Sequence, residues 1–278
     1  MAGRAYIGIS GWTYRPWRGV FYPPGLRQKD ELAYAAGRFT SIEINGTFYG
    51  LPRPDSFARW AADTPEGFVF AVKGSRYITH MKKLVDVEAP LANVLASGPL
   101  RLGDRLGPML WQLPERLRFD PDRIARFLDL LPRDTEEAAD LARRHEPRME
   151  GRAWTETDAR RPLRHALEIR HQSFLDPRFI ELLRERNVSL VTADTPDWPL
   201  TLEVTADFHY VRLHGTPVLY WSGYEDEALN LWADRVRQWM ARGDVYVYFD
   251  NDAQVRAPFD ALGLMERLGE AGRAASAA

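Results

Sequence analysis

The stretch ALEIRHQSFLDPRFIELLRERNVSLVTAD, residues 166–194, decides the fold. It opens on a short apolar run, Ala166–Ile169. Asp176-Pro177 then supplies an N-cap followed by proline at the first helical position. Ile180 and Leu183, one turn apart, give the following helix an apolar face. The stretch closes on a second β-rich run, Leu190–Ala193. Strand, helix and strand within about 30 residues make the βαβ unit of a parallel sheet.

The same alternation continues in both directions. Further β-rich runs are Tyr6–Ile9, Ser41–Ile44, Phe68–Val72, Met109–Gln112, His209–Leu213 and Val245–Phe249. Several are almost continuously apolar, as strands are when one face packs inside a barrel and the other lies under helices. Helical patterns lie between them. Gln28–Arg38 precedes the second strand, and Pro54–Ala62 sets Phe57, Trp60 and Ala61 on one face. Asp120-Pro121 starts a helix whose Ile124, Phe127, Leu128 and Leu131 fall at i, i+3, i+4 and i+7. Leu229, Trp232, Val236 and Trp239 form a stripe ended by Gly243, and Phe259, Leu262 and Leu268 mark the last helix. Eight strands with intervening helices predict an α/β fold, a (β/α)8 TIM-type barrel. An open doubly wound sheet competes, but the first strand leads into GISGWTYRPW rather than a G-x-G-x-x-G phosphate loop. Thr195–Asp207 holds two prolines and is too short for a helix with two loops, so the barrel is expected to be irregular between strands six and seven.

The 278 residues are read as one domain, because such barrels run to about 250 residues as a single unit. Pro132–Arg164, rich in Arg and Glu, follows a helix and precedes a strand. It is expected at the N-terminal face as a mobile, solvated insertion, with the tail 270–278 frayed. Cysteine is absent, which excludes disulfides, thiolate metal sites and a cysteine nucleophile. With no apolar leader and no run of membrane-spanning length, a cytoplasmic protein is expected. A net charge of −2 gives no general attraction for nucleic acid or an anionic membrane.

Polar residues gather where the strands end. Ser10 and Trp12 follow strand one. Glu43 and Asn45 close strand two, Lys73 strand three and Gln112 strand four. Glu168 and Arg170 close strand five, Asp194 strand six, Arg212 and His214 strand seven, and Asp250 and Asn251 strand eight. Glu43/Asn45, Glu168/Arg170 and Arg212/His214 are i, i+2 pairs, so each pair projects to one side of its strand. Barrel enzymes carry their chemistry at that end. An ion-pair network that merely closes the barrel top competes, since Glu43, Glu168, Asp194 and Asp250 face Lys73, Arg170 and Arg212.

Three chemistries fit the set. In the first, Glu43, Glu168 or His214 moves protons, while Arg170 and Arg212 hold an anionic substrate. In the second, Glu168, Asp194, His214 and Asp250 bind a divalent metal, against which the two arginines argue because they neutralise the acids. In the third, Lys73 forms a Schiff base. Trp12, Tyr49, Arg76, Tyr77 and Trp221 would form a basic-aromatic rim suited to a sugar phosphate or nucleotide, or to single-stranded nucleic acid. HGTP after strand seven and FDND after strand eight could cradle a phosphate.

Seven blocks in order, IGISGWTY at 7–14, EINGTFYGLP at 43–52, FAVKGSRYITHMKKL at 70–84, GPMLWQLP at 107–114, LEIRHQSF at 167–174, YVRLHG at 210–215 and YFDNDAQVRAP at 248–258, resemble the YecE-like family, named only as a domain of unknown function. The resemblance covers nearly the whole chain and implies a distorted α/β barrel. It brings no agreed activity, so no catalytic residue is carried over from it. The residues themselves point to an enzyme acting on a small anionic ligand by acid/base or metal-assisted chemistry. Nucleic-acid processing and a non-catalytic ligand-binding barrel are the alternatives.

Overall fold

Period-two alternation sorts each β-rich run into residues that face a narrow interior and residues that face helices. In the computed structural model, which describes residues 3–269, the runs become nine strands. These are β1 (Ala5–Ser10), β2 (Ser41–Ile44), β3 (Val69–Lys73), β4 (Leu106–Gln112), β5 (His165–Glu168), β6 (Val188–Leu190), β7 (Thr192–Asp194), β8 (Phe208–Leu213) and β9 (Asp244–Phe249). They form one sheet in the order β6-β5-β4-β3-β2-β1-β9-β8-β7, with every pairing parallel.

The expected sixth strand is thus split at Val191. Its first half pairs with β5 and its second half with β8. The result is a nearly closed barrel with one unsealed seam between β6 and β7. Residues 195–207 run on from the seam without a helix, as the two prolines predict.

Nine α-helices lie among the described residues: α1 (Glu31–Ala36), α2 (Gly46–Tyr49), α3 (Pro54–Ala62), α4 (Glu88–Ala96), α5 (Pro121–Leu130), α6 (Thr135–Ala142), α7 (Pro177–Glu185), α8 (Asp226–Met240) and α9 (Arg256–Leu268). Both proline-marked starts form as expected. Asp120 accepts from the Arg123 amide at 3.0 Å and Asp176 from the Arg178 amide at 2.8 Å. A short π-helical turn, Tyr77–Met81, follows β3. No helix among the described residues is long and apolar enough to cross a membrane.

The core has two parts. Outward-facing Ile7, Ile42, Phe70, Trp111, Leu167, Val211 and Val247 pack under the helices in one large cluster. Inside the barrel a smaller cluster holds Ala71, Leu110, Ala166, Val191, Ala193, Phe208, Tyr210, Tyr246 and Tyr248. Small residues on one side make room for tyrosines on the other. At the N-terminal end Arg164 closes the interior, bonding Asp244 at 2.7 Å and the Tyr246 hydroxyl at 3.0 Å.

Residues 132–164 depart from expectation. The segment buries Ala138, Ala139, Ala142 and Met149 in the main core. It then climbs along α4, where the Glu146 amide donates to Asn93 at 2.9 Å and the Trp154 amide to the Ala96 carbonyl at 2.7 Å. Arg152 reaches the Leu51 carbonyl, at 3.0 Å, beside the C-terminal mouth. Counting its charges hid its alanine face and Met149, which bury as any apolar stripe does. The tail 270–278 lies outside the described residues.

One glycine tests this packing. A Cβ on Gly74, just past β3, would sit 2.3 Å from the ring of Trp111. Trp111 is fully buried, and its Nε1 donates to His165 at 3.1 Å, so it has no room to yield. Gly74→Ala should lower unfolding stability by about 1–3 kcal/mol in a denaturant titration. A variant as stable as the parent would contradict this close approach.

Candidate functional site

Strand parity decides which polar side chains reach the barrel mouth. Ser10, Glu43, Lys73, Gln112, Glu168, Arg212 and Asp250 continue the inward phase set by Ser41, Ala71, Leu110, Ala166, Tyr210 and Tyr248. They form a polar layer directly above the tyrosines.

Arg212 is the hub of that layer and is wholly buried. Its Nε and Nη2 grip the Glu43 carboxylate as a fork, at 3.1 and 2.9 Å. Nη1 donates to Glu168 at 2.7 Å, and Nη2 also reaches Asp250 at 2.8 Å. The acids have further partners. Tyr210 Oη and Ser10 Oγ donate to Glu43 at 2.6 and 2.8 Å. Gln112 and Arg170 donate to Glu168 at 2.8 and 3.2 Å. His214 Nδ1 lies 3.2 Å from Asp250, and its Nε2 lies 3.3 Å from Arg212 Nη1.

Charge arrangement sets the protonation of this layer. Burial pushes the Glu168 and Asp250 carboxyls up, but Arg212 and the other cations around them together outweigh it in both cases. Arg170, His214 and Lys73 also hold Glu168 far below the usual carboxylate range. His214 assists at Asp250, which falls to about 2. Burial, then Glu43, pushes the Tyr210 phenol well up, so it stays a donor.

Above the layer opens a pocket of about 810 Å³. Lys73, Gln112, Asp250 and Arg170 reach it from the strands, and Tyr14, Asn45, Phe48, Tyr49, Arg76, His80, Met81, Tyr220 and Asp252 complete the wall. Lys73 carries no hydrogen bond or ion pair at Nζ among the described residues. Its ammonium sits 4.5 Å from the Phe48 ring centroid. Burial, then Arg212, lowers its pKa to about 8 despite nearby acids. Asp252 shows the opposite effect, raised to about 6 by burial and then by Asp250. Burial, then Arg170 and Lys73, lowers His80 to about 4, so it is neutral near pH 7. Asn45 Oδ1 is buried in the wall without a hydrogen-bond partner.

Several sequence expectations are corrected. Arg212 lies beneath the floor with every nitrogen engaged, so it cannot anchor a ligand. Glu43, Glu168 and His214 join the network but are sealed from the pocket. Asp194 is one residue out of phase with inward Ala193 and turns to Thr216, 3.4 Å away. With Asp194 elsewhere, and Arg212 between Glu168 and Asp250, the four residues of the alternative metal reading do not assemble, and no His/Asp/Glu trio suited to a metal occurs among the described residues. Asn251 is likewise outward, donating to Asp260 at 2.7 Å. Trp12 packs against Trp60 and Phe70 on the flank, and Trp221 stands outside the pocket. Tyr77 lines a neighbouring cleft rather than the mouth. In the HGTP stretch the Gly215 amide is taken by the Tyr224 hydroxyl at 3.0 Å, which removes a donor from any phosphate cradle.

Some contributors escaped the sequence reading. Tyr210 and Asp252 lie two residues from Arg212 and Asp250, so the period-two rule could have found both. Trp198, from the irregular stretch after β7, had no such signal. Its ring lies 3.6 Å beneath the Arg170 guanidinium and meets the edge of His214.

A family model described as Protein of unknown function DUF72 matches residues 6–278. UPF0759 protein YecE of Escherichia coli (strain K12) is 25% identical over 258 residues, covering 91% of this chain and 88% of that protein. A DUF72 family protein of Thermotoga maritima MSB8 has a similar crystal structure, with TM-score 0.76 and 26% identity over 96% of this chain and 100% of that one. A DUF72 family protein of Enterococcus faecalis V583 shares the fold at TM-score 0.70 and 19% identity, over 96% and 98% of the two chains. These matches agree with the resemblance carried by the seven sequence blocks.

The hub generates a stability prediction. Arg212→Met leaves three acids without their shared cation and should cost about 3–5 kcal/mol in unfolding free energy. In the parent, the low Asp250 and Glu168 values mean that their contribution is complete above the unfolded carboxylate range and falls away as pH drops from about 4 towards 2. Urea melts across that range should show the fall in the parent. A wild-type-like melt for Arg212→Met would remove the hub from this role.

Proposed function

The chain belongs to the DUF72 family of proteins of unknown function, and from the mouth of its barrel we propose an enzyme that acts on a small anionic ligand by acid/base chemistry. Lys73 carries the reading. The chain holds four lysines, Lys29, Lys73, Lys82 and Lys83, among 37 lysines and arginines together. Arginine fills nearly every other cationic position, yet the desolvated cation on the pocket floor is a lysine. An arginine stays charged at any working pH, whereas a lysine can exchange its proton when burial lowers its pKa.

Asp252 is the natural counterpart. Between about pH 6 and 8 its carboxylate accepts a proton while the Lys73 ammonium donates one. Groups whose values flank the working pH move protons most effectively. The ligand's anionic group would meet Arg76, which has no acid partner among the described residues, and Arg170, held flat on Trp198. Asn45 Oδ1, a buried acceptor without a donor, suits a ligand hydroxyl. Phosphate or carboxylate, hydroxyls and a labile proton together describe a sugar phosphate or nucleotide.

A second reading draws on the exposed Tyr49, with the Arg76 guanidinium 5.8 Å from its ring centroid. Such a rim suits single-stranded nucleic acid, and steeply salt-dependent binding of a mixed oligonucleotide would favour it.

The test works whatever the product is. A thermal-shift screen of sugar phosphates and nucleotides supplies a ligand, which is then held with the protein in D2O and followed by proton NMR. Solvent deuterium should enter one carbon position, with a rate that rises through about pH 6 and falls through about pH 8. Lys73→Met and Asp252→Asn should each slow exchange about 100-fold or more. Arg76→Ala should weaken binding by about 1.5 kcal/mol or more. Ligand bound without exchange at any pH would point to a non-catalytic binding barrel, and no anion hit would defeat the reading.

A further inference from the structure

Beside the mouth lies a second hollow of about 400 Å³, walled by the end of α2, the π-helical turn, α4 and the climbing part of residues 132–164. It shares Tyr49, Arg76 and Met81 with the main pocket, so the two form one trench with Arg76 at the junction. Its lining includes three arginines, Arg76, Arg148 and Arg152, and no acidic residue.

The pairing of these arginines is uneven. Arg148 is held by Glu146, at 2.9 Å. Arg76 and Arg152 have no carboxylate within ion-pair distance among the described residues. Arg152 is positioned by a backbone carbonyl, that of Leu51, and its buried Nε has no hydrogen-bond partner. An unmatched buried guanidinium nitrogen carries a desolvation cost that a bound anion would offset. The chain also goes to some length to place this residue. The connection from α5 to β5 leaves the N-terminal face and climbs α4 before returning, and Arg148 and Arg152 lie at its upper turn.

We propose that this hollow is a second anion subsite, taking a distal phosphate of a ligand whose reacting end lies at Lys73 and Asp252. The inference rests on the acid/base reading of the mouth and narrows it to ligands with two separated anionic groups. Guanidinium forks suit phosphate because they bind two oxygens at once. Tyr49 and Tyr77 flank Arg76 and offer apolar faces to the ligand between its charges.

Calorimetric titration with three probes tests it: fructose 6-phosphate, fructose 1,6-bisphosphate and inorganic phosphate. The bisphosphate should bind at least about ten-fold more tightly than the monophosphate, roughly the gain of one further charge-assisted contact. Arg152→Met and Arg148→Met should each erode that advantage and leave the affinity for fructose 6-phosphate, held at the mouth, unchanged. The exposed Arg148 variant guards against misfolding of the Arg152 one. Equal affinity for the two sugar phosphates, or an advantage that survives both substitutions, overturns the proposal. Failure of the mouth reading is separately visible with inorganic phosphate. Binding kept in Arg170→Ala but lost in Arg152→Met supports the subsite even without deuterium exchange, whereas the opposite pattern counts against it.

Discussion

The guanidinium of Arg212 is the constraint on which the barrel mouth depends. One planar cation, fully removed from water, meets carboxylates from β2, β5 and the end of β9. Any of those acids alone in such a place would cost several kcal/mol. Together they are tolerated only because the fork satisfies several oxygens at once and Tyr210, Ser10 and Gln112 satisfy others. The Glu168–Arg212 contact also spans β5 to β8, the two strands that face each other across the split at Val191. A side-chain ion pair thus joins what the backbone ladder leaves unjoined.

That arrangement shapes the pocket above. Arg212 occupies the acids, so the Lys73 ammonium forms no ion pair with them and rests against an aromatic ring. A conventional salt bridge would have fixed Lys73 as a permanent cation. Here burial and the neighbouring guanidinium weaken its hold on the proton, while burial and then Asp250 strengthen the hold of Asp252. Two groups of opposite type are brought towards the same pH from opposite directions. The proton exchange proposed for the mouth would therefore be a product of the structural network and not a separate device laid over it.

Much of this was legible in the sequence. The βαβ reading of residues 166–194 extends to the whole barrel, and the prolines after Asp194 mark where it breaks. Strand-end residues are a good guide to the barrel mouth but a poor guide to depth. Nothing in the order of residues says that Arg212 is sealed while Arg170, two positions past Glu168, is open; that depends on what covers each, and for Arg170 the cover is Trp198 from a stretch with no periodicity. Asp194 and Asn251 were misplaced for a simpler reason, since each is one step off the inward phase of its strand. The 132–164 segment misled by composition. Its arginines are many, but what fixes its path is a few alanines, Met149 and the amide bonds to α4.

The split at Val191 has a consequence for how such a barrel can change. In a sealed barrel the shear number is a single integer shared by every strand, and altering one register obliges all the others to follow. Here the circuit of backbone bonds is open at one point, so slippage between β5 and β8 can be absorbed locally without being passed round the ring. The stretch from Val191 to Asp207 then behaves as a tailoring panel: its length and side chains, Trp198 among them, can be recut to suit a differently shaped ligand while the other strands keep their alignment.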